Sequence, residues 1–176
     1  TGVDFSQTAL DLIQTQLSVL NLKSVSLIQG AADSLSETLG EANERPFDLV
    51  VINSVAQYFP SAGYLLEVIK QSVDLLAEGG QIFLGDVRHS SLKEAFHTAI
   101  ELGKSPANLS LSNLKERIAE RMENDGELLV HPDFFGSLSK ELTSVLHTNV
   151  QLKRGAYVNE MSAYRYDVVL SLTKPD

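Results

Sequence analysis

Polar residues able to do chemistry stand directly behind apolar runs in this chain. Asp4 follows Gly2-Val3, and Ala32 and Asp33 follow Val25 to Ile28. Asn53, Ser54, Gln57 and Tyr58 come at and after the end of Phe47 to Asn53, and Asp86, Arg88 and His89 come after Gln81 to Gly85. A carboxylate such as Asp4 can accept two hydrogen bonds from a ribose diol, or cap a following helix through the backbone at Ser6 or Gln7. Asp33 can accept from an adenine amino group, or cap a helix over Ser34 to Leu39. Asn53 can satisfy open backbone groups at a strand end. Tyr58 can lay its ring face on a sulfonium or a methylated amine; the alternative for Tyr58 and Phe59 is a core or lid position. Asp86-Val87-Arg88-His89 offers an acid, a cation and a proton shuttle, or a local ion pair beside a helix cap. Farther on, Glu160 can hold or deprotonate an amine, or be an exposed turn carboxylate beside Asn159. Lys153 and Arg154 read as gatekeepers of an edge strand.

Other chemistries find no support. Cysteine is absent, which removes disulfides, thiolate metal ligands and cysteine nucleophiles. His97, His131 and His147 have no metal-ligand spacing. Neither G-x-x-x-x-G-K-[ST], G-x-S-x-G nor G-x-G-x-x-G occurs. A formal net charge of −9 makes nucleic acid a poor partner. No window approaches ~18 consecutive apolar residues, so no membrane span is expected. Thr1 to Ser6 lacks a basic-then-apolar leader, and a cytoplasmic location is the expectation.

Something must position these residues. The apolar runs read as strands, and Leu49-Val50-Val51-Ile52 suits a parallel strand covered on both faces. Helices are expected between them. Thr8 to Leu20 carries a stripe of Ala9, Leu12, Ile13, Leu17 and Leu20, and Ala62 to Leu76 carries Leu65, Leu66, Ile69, Val73 and Leu76. Ala77-Glu78-Gly79-Gly80 stops the second helix and turns into the next strand. Ser90 to Leu102 and Ser110 to Asp125 are further helices, the latter with a narrow seam of Leu111, Leu114, Ile118 and Met122. Another helix starts at His131-Pro132-Asp133. Two last strands, Val145 to Arg154 and Tyr164 to Leu172, are separated by about nine residues, too few for a helical crossover, so they should pair antiparallel. The expected architecture is an α/β Rossmann-like sheet, mostly parallel, ending in an antiparallel hairpin. One domain fills 1–176, with 103–130 a helical lid or insertion.

Phe47-Asp48-Leu49-Val50-Val51-Ile52-Asn53-Ser54-Val55-Ala56-Gln57-Tyr58-Phe59-Pro60 resembles a signature of the methyltransferase domains of nonribosomal peptide synthetases. Thr1 to Ser6, Ile82 to Arg88 with Glu94 to His97, and Gln151 to Gly155 with Asn159 to Met161 and Tyr164 to Val168 resemble further segments of that family, in order along the chain. The resemblance implies S-adenosylmethionine as cofactor and N-methylation of an aminoacyl group on a carrier protein, beside adenylation and carrier domains. It implies Asp4 and Phe5 at the ribose, Ala32 and Asp33 at the adenine, and Asn53, Ser54 and Gln57 beside the cofactor. Tyr58 would face the transferred methyl, with Asp86, Arg88, Asn159 and Glu160 on the acceptor side. It also implies a first strand and a glycine-rich loop ahead of Thr1, so the chain is expected to be the C-terminal part of its domain and inactive alone. Met161 and Ala163-Tyr164 depart from the family pattern on the acceptor side. An O- or C-methyltransferase, an inactive methyltransferase-like module and a nucleotide-dependent reductase are the alternatives.

Overall fold

A computed structural model describes residues 1–39, 46–142 and 146–172. Strands β1 (Gly2–Asp4) and β2 (Leu27–Gln29) pair in parallel as a small two-stranded sheet. Helix α1 (Gln7–Val19) connects them. Its N-cap is Ser6, whose hydroxyl accepts from the Ala9 N–H at 3.3 Å and so satisfies one of the open donors of a helix start. The stripe differs from the expected one. Leu10 and Leu17 are buried, whereas Leu12, Ile13 and Leu20 are exposed, because the short strands cover only one line of the helix.

A single 3₁₀ turn at Ala32–Ser34 leads into α2 (Leu35–Leu39). Then come β3 (Phe47–Asn53), a 3₁₀ turn at Ala56–Tyr58, α3 (Ala62–Asp74) and β4 (Leu76–Arg88). After β4 follow α4 (Lys93–Lys104), α5 (Leu111–Glu123), α6 (Pro132–Glu141), β5 (Leu146–Leu152), α7 (Glu160–Ala163) and β6 (Arg165–Leu172). The larger sheet has the order β3-β4-β6-β5. Strand β4 is parallel to β3, across the α3 connection, and antiparallel to β6. Strands β5 and β6 form the expected antiparallel pair, from Leu146↔Leu172 to Leu152↔Tyr166. The segment between them has room only for the one-turn helix α7. Val145, the expected first residue of β5, lies outside the described residues.

Strand β4 begins earlier than the turn signal suggested. Its partners jump from Phe47↔Leu76 to Leu49↔Gln81, and the left-handed Gly79 (φ 76°) makes the excursion between them.

One face of the larger sheet carries the core. Ile82, Leu84, Tyr166, Val168 and Leu170 pack with Leu65, Val68 and Ile69 of α3 and with Phe135 and Leu138 of α6. Each such side chain contributes roughly 1.5–3 kcal/mol on full burial. The other face departs from expectation: Leu49 and Val51 are 52% and 57% exposed. Cover on both faces was expected for β3, yet among the described residues this side stays open.

The 103–130 stretch holds the end of α4, α5 and a return segment. Helix α5 buries no residue fully and packs against α4. Leu111 is exposed, and Leu114, Ile118 and Met122 are half-buried. Charge fastens the pair: the buried Glu101 of α4 pairs with Arg121 and has Arg117 Nε at 2.9 Å.

Candidate active site

A row of polar side chains crosses the ends of all four strands of the larger sheet. The β4–β6 ladder breaks between Leu84 and Val87, where Gly85 and Asp86 stand opposite Asp167 alone. Such a bulge re-aims a side chain and leaves one backbone group without its ladder partner. The Asp86 N–H donates to Asp167 Oδ1 at 2.9 Å instead. Asp86 (φ 63°) and Ser54 (φ 56°) are both left-handed, a conformation that costs non-glycine residues about 1 kcal/mol or more. Their side chains meet. The Ser54 hydroxyl donates to Asp86 Oδ2, and Lys153 Nζ, from just beyond β5, donates to Asp86 Oδ1 and to Asp167 Oδ1. Burial pushes the Asp86 carboxyl up. Bonds from Lys153 and Ser54, with the charges of Lys153 and Arg165, outweigh burial and hold it below its ordinary value. For Lys153, burial disfavours the cation, but the two carboxylates win and raise it.

Asn53 ends β3 opposite Gly85, and a Cβ on Gly85 would fall 1.9 Å from Asn53 Oδ1. Only glycine permits that approach. Gln57 is buried. Its Nε2 donates to the Ser54 carbonyl at 3.0 Å, while its Oε1 is a buried acceptor with no hydrogen-bond partner among the described residues. A ligand donor would satisfy that oxygen, which favours a polar ligand here. Tyr58 is 73% exposed, so it is neither a core nor a covered residue.

The residues expected at a nucleotide lie on the smaller sheet and its connections. Asp4 closes β1, and its Oδ1 accepts from the Ser6 N–H at 2.8 Å. That is the cap contact, and it leaves further lone pairs for a ligand. Phe5 is exposed, Ala32 is half-buried against the core, and Asp33 Oδ1 accepts from the Tyr64 hydroxyl at 3.0 Å.

Arg88 turns away from this row. Its buried guanidinium donates to Asp125 (2.8 Å) and Glu127 (3.1 Å) and sits over the Phe96 ring. His97 Nε2 lies 2.8 Å from the other Asp125 oxygen. Burial would raise the Asp125 carboxyl, but these partners hold it down to about 2. It is therefore ionised, and His97 Nε2 carries the proton of that bond. His89 caps the next turn through Nδ1 and the Ser91 N–H; burial and the neighbouring His131 lower its protonation.

Asn159 caps α7 through a reciprocal bond pair with Ser162, and Glu160 pairs with Arg165 at 3.3 Å. Asn159 shares the walls of a cleft of about 330 Å³ with Lys153, Tyr157, Met161 and Asp167. The fold thus brings Asn53, Ser54, Gln57 and Asp86 into one bonded group, with Asn159 across the adjoining cleft. It places Arg88 in a separate network. Lys153 and Asp167 belong to the polar row but were not among the expected site residues. Their available signal was a carboxylate inside an apolar strand and a lysine just past its partner strand.

The architecture is that of the class I, Rossmann-like methyltransferases. The putative methyltransferase SMU.1697c from Streptococcus mutans, solved in complex with SAH, matches 97% of this chain and 73% of its own, with TM-score 0.51 at 16% identity. Residues 1–82 match the family described as a methyltransferase domain. Chondramide synthase cmdD of Chondromyces crocatus is 37% identical over 97% of this chain, and the nonribosomal peptide synthetase penN of Penicillium thymicola is 34% identical over 99%. This chain is an S-adenosylmethionine-dependent methyltransferase domain, and along nearly its whole length it is similar to stretches of nonribosomal peptide synthetases. It spans only 4% of the length of the first of these synthetases and 6% of the second.

Proposed function

We propose that this domain N-methylates an aminoacyl group held on a carrier protein, within a cytoplasmic synthetase that also has adenylation and carrier domains. The observation that carries the reading is the polar row at the ends of β3 and β4, in a chain that resembles synthetases over nearly its whole length. Bound S-adenosylmethionine supplies a sulfonium methyl for in-line displacement. The chain's residues then have to hold, orient and align. Asp4 and Asp33 have acceptor capacity for a nucleoside, and Gln57 Oε1 offers a buried acceptor that lacks a partner among the described residues. Asp86, ionised and held by two donors, is a poor proton acceptor but a good orienting acceptor for an amine N–H. Glu160, half-exposed beside Arg165, is the alternative on the acceptor side. The exposed ring of Tyr58 can pack on the sulfonium side. No covalent enzyme intermediate is needed, consistent with the absence of a nucleophile motif.

Titration calorimetry with S-adenosylmethionine on the full-length protein, followed by mass spectrometry of an aminoacyl thioester on a carrier protein, tests this. The expected product is heavier by one methylene, with the methyl on nitrogen. Because Tyr58 is exposed, Tyr58→Ala should lower the transfer rate while Tm stays nearly constant. Binding without N-methylation of any aminoacyl carrier would remove the acceptor assignment, and no binding would favour an inactive module.

A further inference from the structure

The row Ser54–Asp86–Asp167–Lys153 joins the ends of β3, β4, β6 and β5 in that order. Lys153 stands at one end of it, beyond the outer strand, and reaches across β6 to the β4 bulge. We infer that Lys153 is a positioning residue for methyl transfer: by bridging Asp167 and Asp86 across β6, it aims the Asp86 carboxylate and keeps it ionised. The inference rests on the methyl-transfer reading above, and it gives that reading a residue on a strand distant from β3.

The geometry leaves Lys153 little other role. Its side chain is 21% exposed, and its ammonium contacts both the Asp86 and the Asp167 carboxylates. Asp167 cannot do the same work alone. Its Oδ1 already accepts from the Asp86 N–H, so without Lys153 two carboxylates would face each other at the bulge. Like charges at that distance push one of the pair toward protonation. A protonated Asp86 would become a donor and lose its capacity to accept from an acceptor amine. Arg165 is the other cation among the described residues that acts on Asp86, and it is already paired with Glu160. Ser54 adds a neutral donor on the other Asp86 oxygen, so it can aim the carboxylate but cannot neutralise it.

The test is Lys153→Met in the full chain, with Lys153→Arg beside it. Aspartate carboxyl carbons are followed by ¹³C NMR against pH, and methyl transfer is followed over the same range. Loss of Lys153 should displace the Asp86 titration and the acid limb of the rate profile upward by about one pH unit or more. The value of kcat should fall about tenfold, with the KM for S-adenosylmethionine nearly unchanged. Lys153→Arg should restore both. An unmoved Asp86 titration in Lys153→Met overturns the inference, as does a rate loss without displacement of the acid limb. If Lys153→Met fails to fold, Asp167→Asn serves: it removes the opposing charge, so Asp86 should titrate no higher than in the parent, and a higher value overturns the inference. The NMR titration needs no cofactor. Failure of the methyl-transfer reading would therefore show as absent cofactor binding with the titration shift intact.

Discussion

Asp125 serves Arg88 with one oxygen and His97 with the other, and all three side chains are buried. Removing one partner from such a group leaves a charge without compensation. Asp125→Asn should destabilise the chain by about 3 kcal/mol or more, read from urea unfolding. The pH dependence has a definite sign. The folded value of about 2 lies below the ordinary 3.8, so this contribution is complete above about pH 4 and lost as pH falls toward 2. The parent should therefore lose stability across that window, and Asp125→Asn should lose less. Equal acid slopes in the two proteins would show that Asp125 is not linked to folding. The sequence placed Arg88 beside Asp86 and allowed an ion pair between them. The structure pairs Arg88 with Asp125 and Glu127 instead, because the bulge at Gly85-Asp86 breaks the alternation that would put residues 86 and 88 on one face. Asp86, Ser54 and Asn53 were legible as site candidates, since polar residues ending apolar strands are visible in one dimension. Lys153 was not, because its partners are 67 and 14 residues away in the chain.

At the scale of elements, α5 is held by charge more than by burial. Among the described residues its ion-pair fastening is Glu101 on α4, with Arg117 and Arg121 closing over it. Glu101→Ala should free α5 while the sheet stays folded. Hydrogen exchange is expected to accelerate across Leu111–Glu123 and to remain slow in β4 and β6. Uniform acceleration throughout the chain would mean that α5 is part of the cooperative core. The return segment after α5 is fastened differently: the Leu128 N–H donates to the Gln57 carbonyl at 2.7 Å and the Val130 N–H to the Arg88 carbonyl at 2.9 Å. The 103–130 stretch is thus tied by backbone bonds to the strand ends that carry the candidate site, and its helix is the looser part. Helix starts were legible in the sequence at Ser110 and at His131-Pro132, where the structure places the caps. The stripe of α1 was misread, since periodicity shows that a helix has an apolar side but not how much of that side its neighbours cover.

For the whole molecule, the open face of β3 is the feature with the largest consequence. Leu49 and Val51 point to one side of the sheet and are half-exposed or more, and Leu12, Ile13 and Leu20 are exposed on α1. Exposed apolar side chains on one face of a strand mark a place where more polypeptide can pack. The isolated chain should bind an apolar dye there. Leu49→Thr combined with Val51→Thr should weaken that binding and leave the circular dichroism unchanged. Dye binding that ignores the double substitution would locate the apolar surface elsewhere.

The sequence by itself determined the class of fold, the parallel-then-antiparallel order of the strands and the polar residues at their ends. Those properties follow from local pattern: apolar runs, caps, turn residues and the short link before β6. Tertiary structure alone decided which of the polar residues share a hydrogen bond. Ser54, Asp86, Asp167 and Lys153 meet because β6 inserts between β4 and β5 and a bulge turns Asp86 toward Ser54. Which strand lies beside which is set by packing between segments far apart in the chain, and a local pattern does not report it.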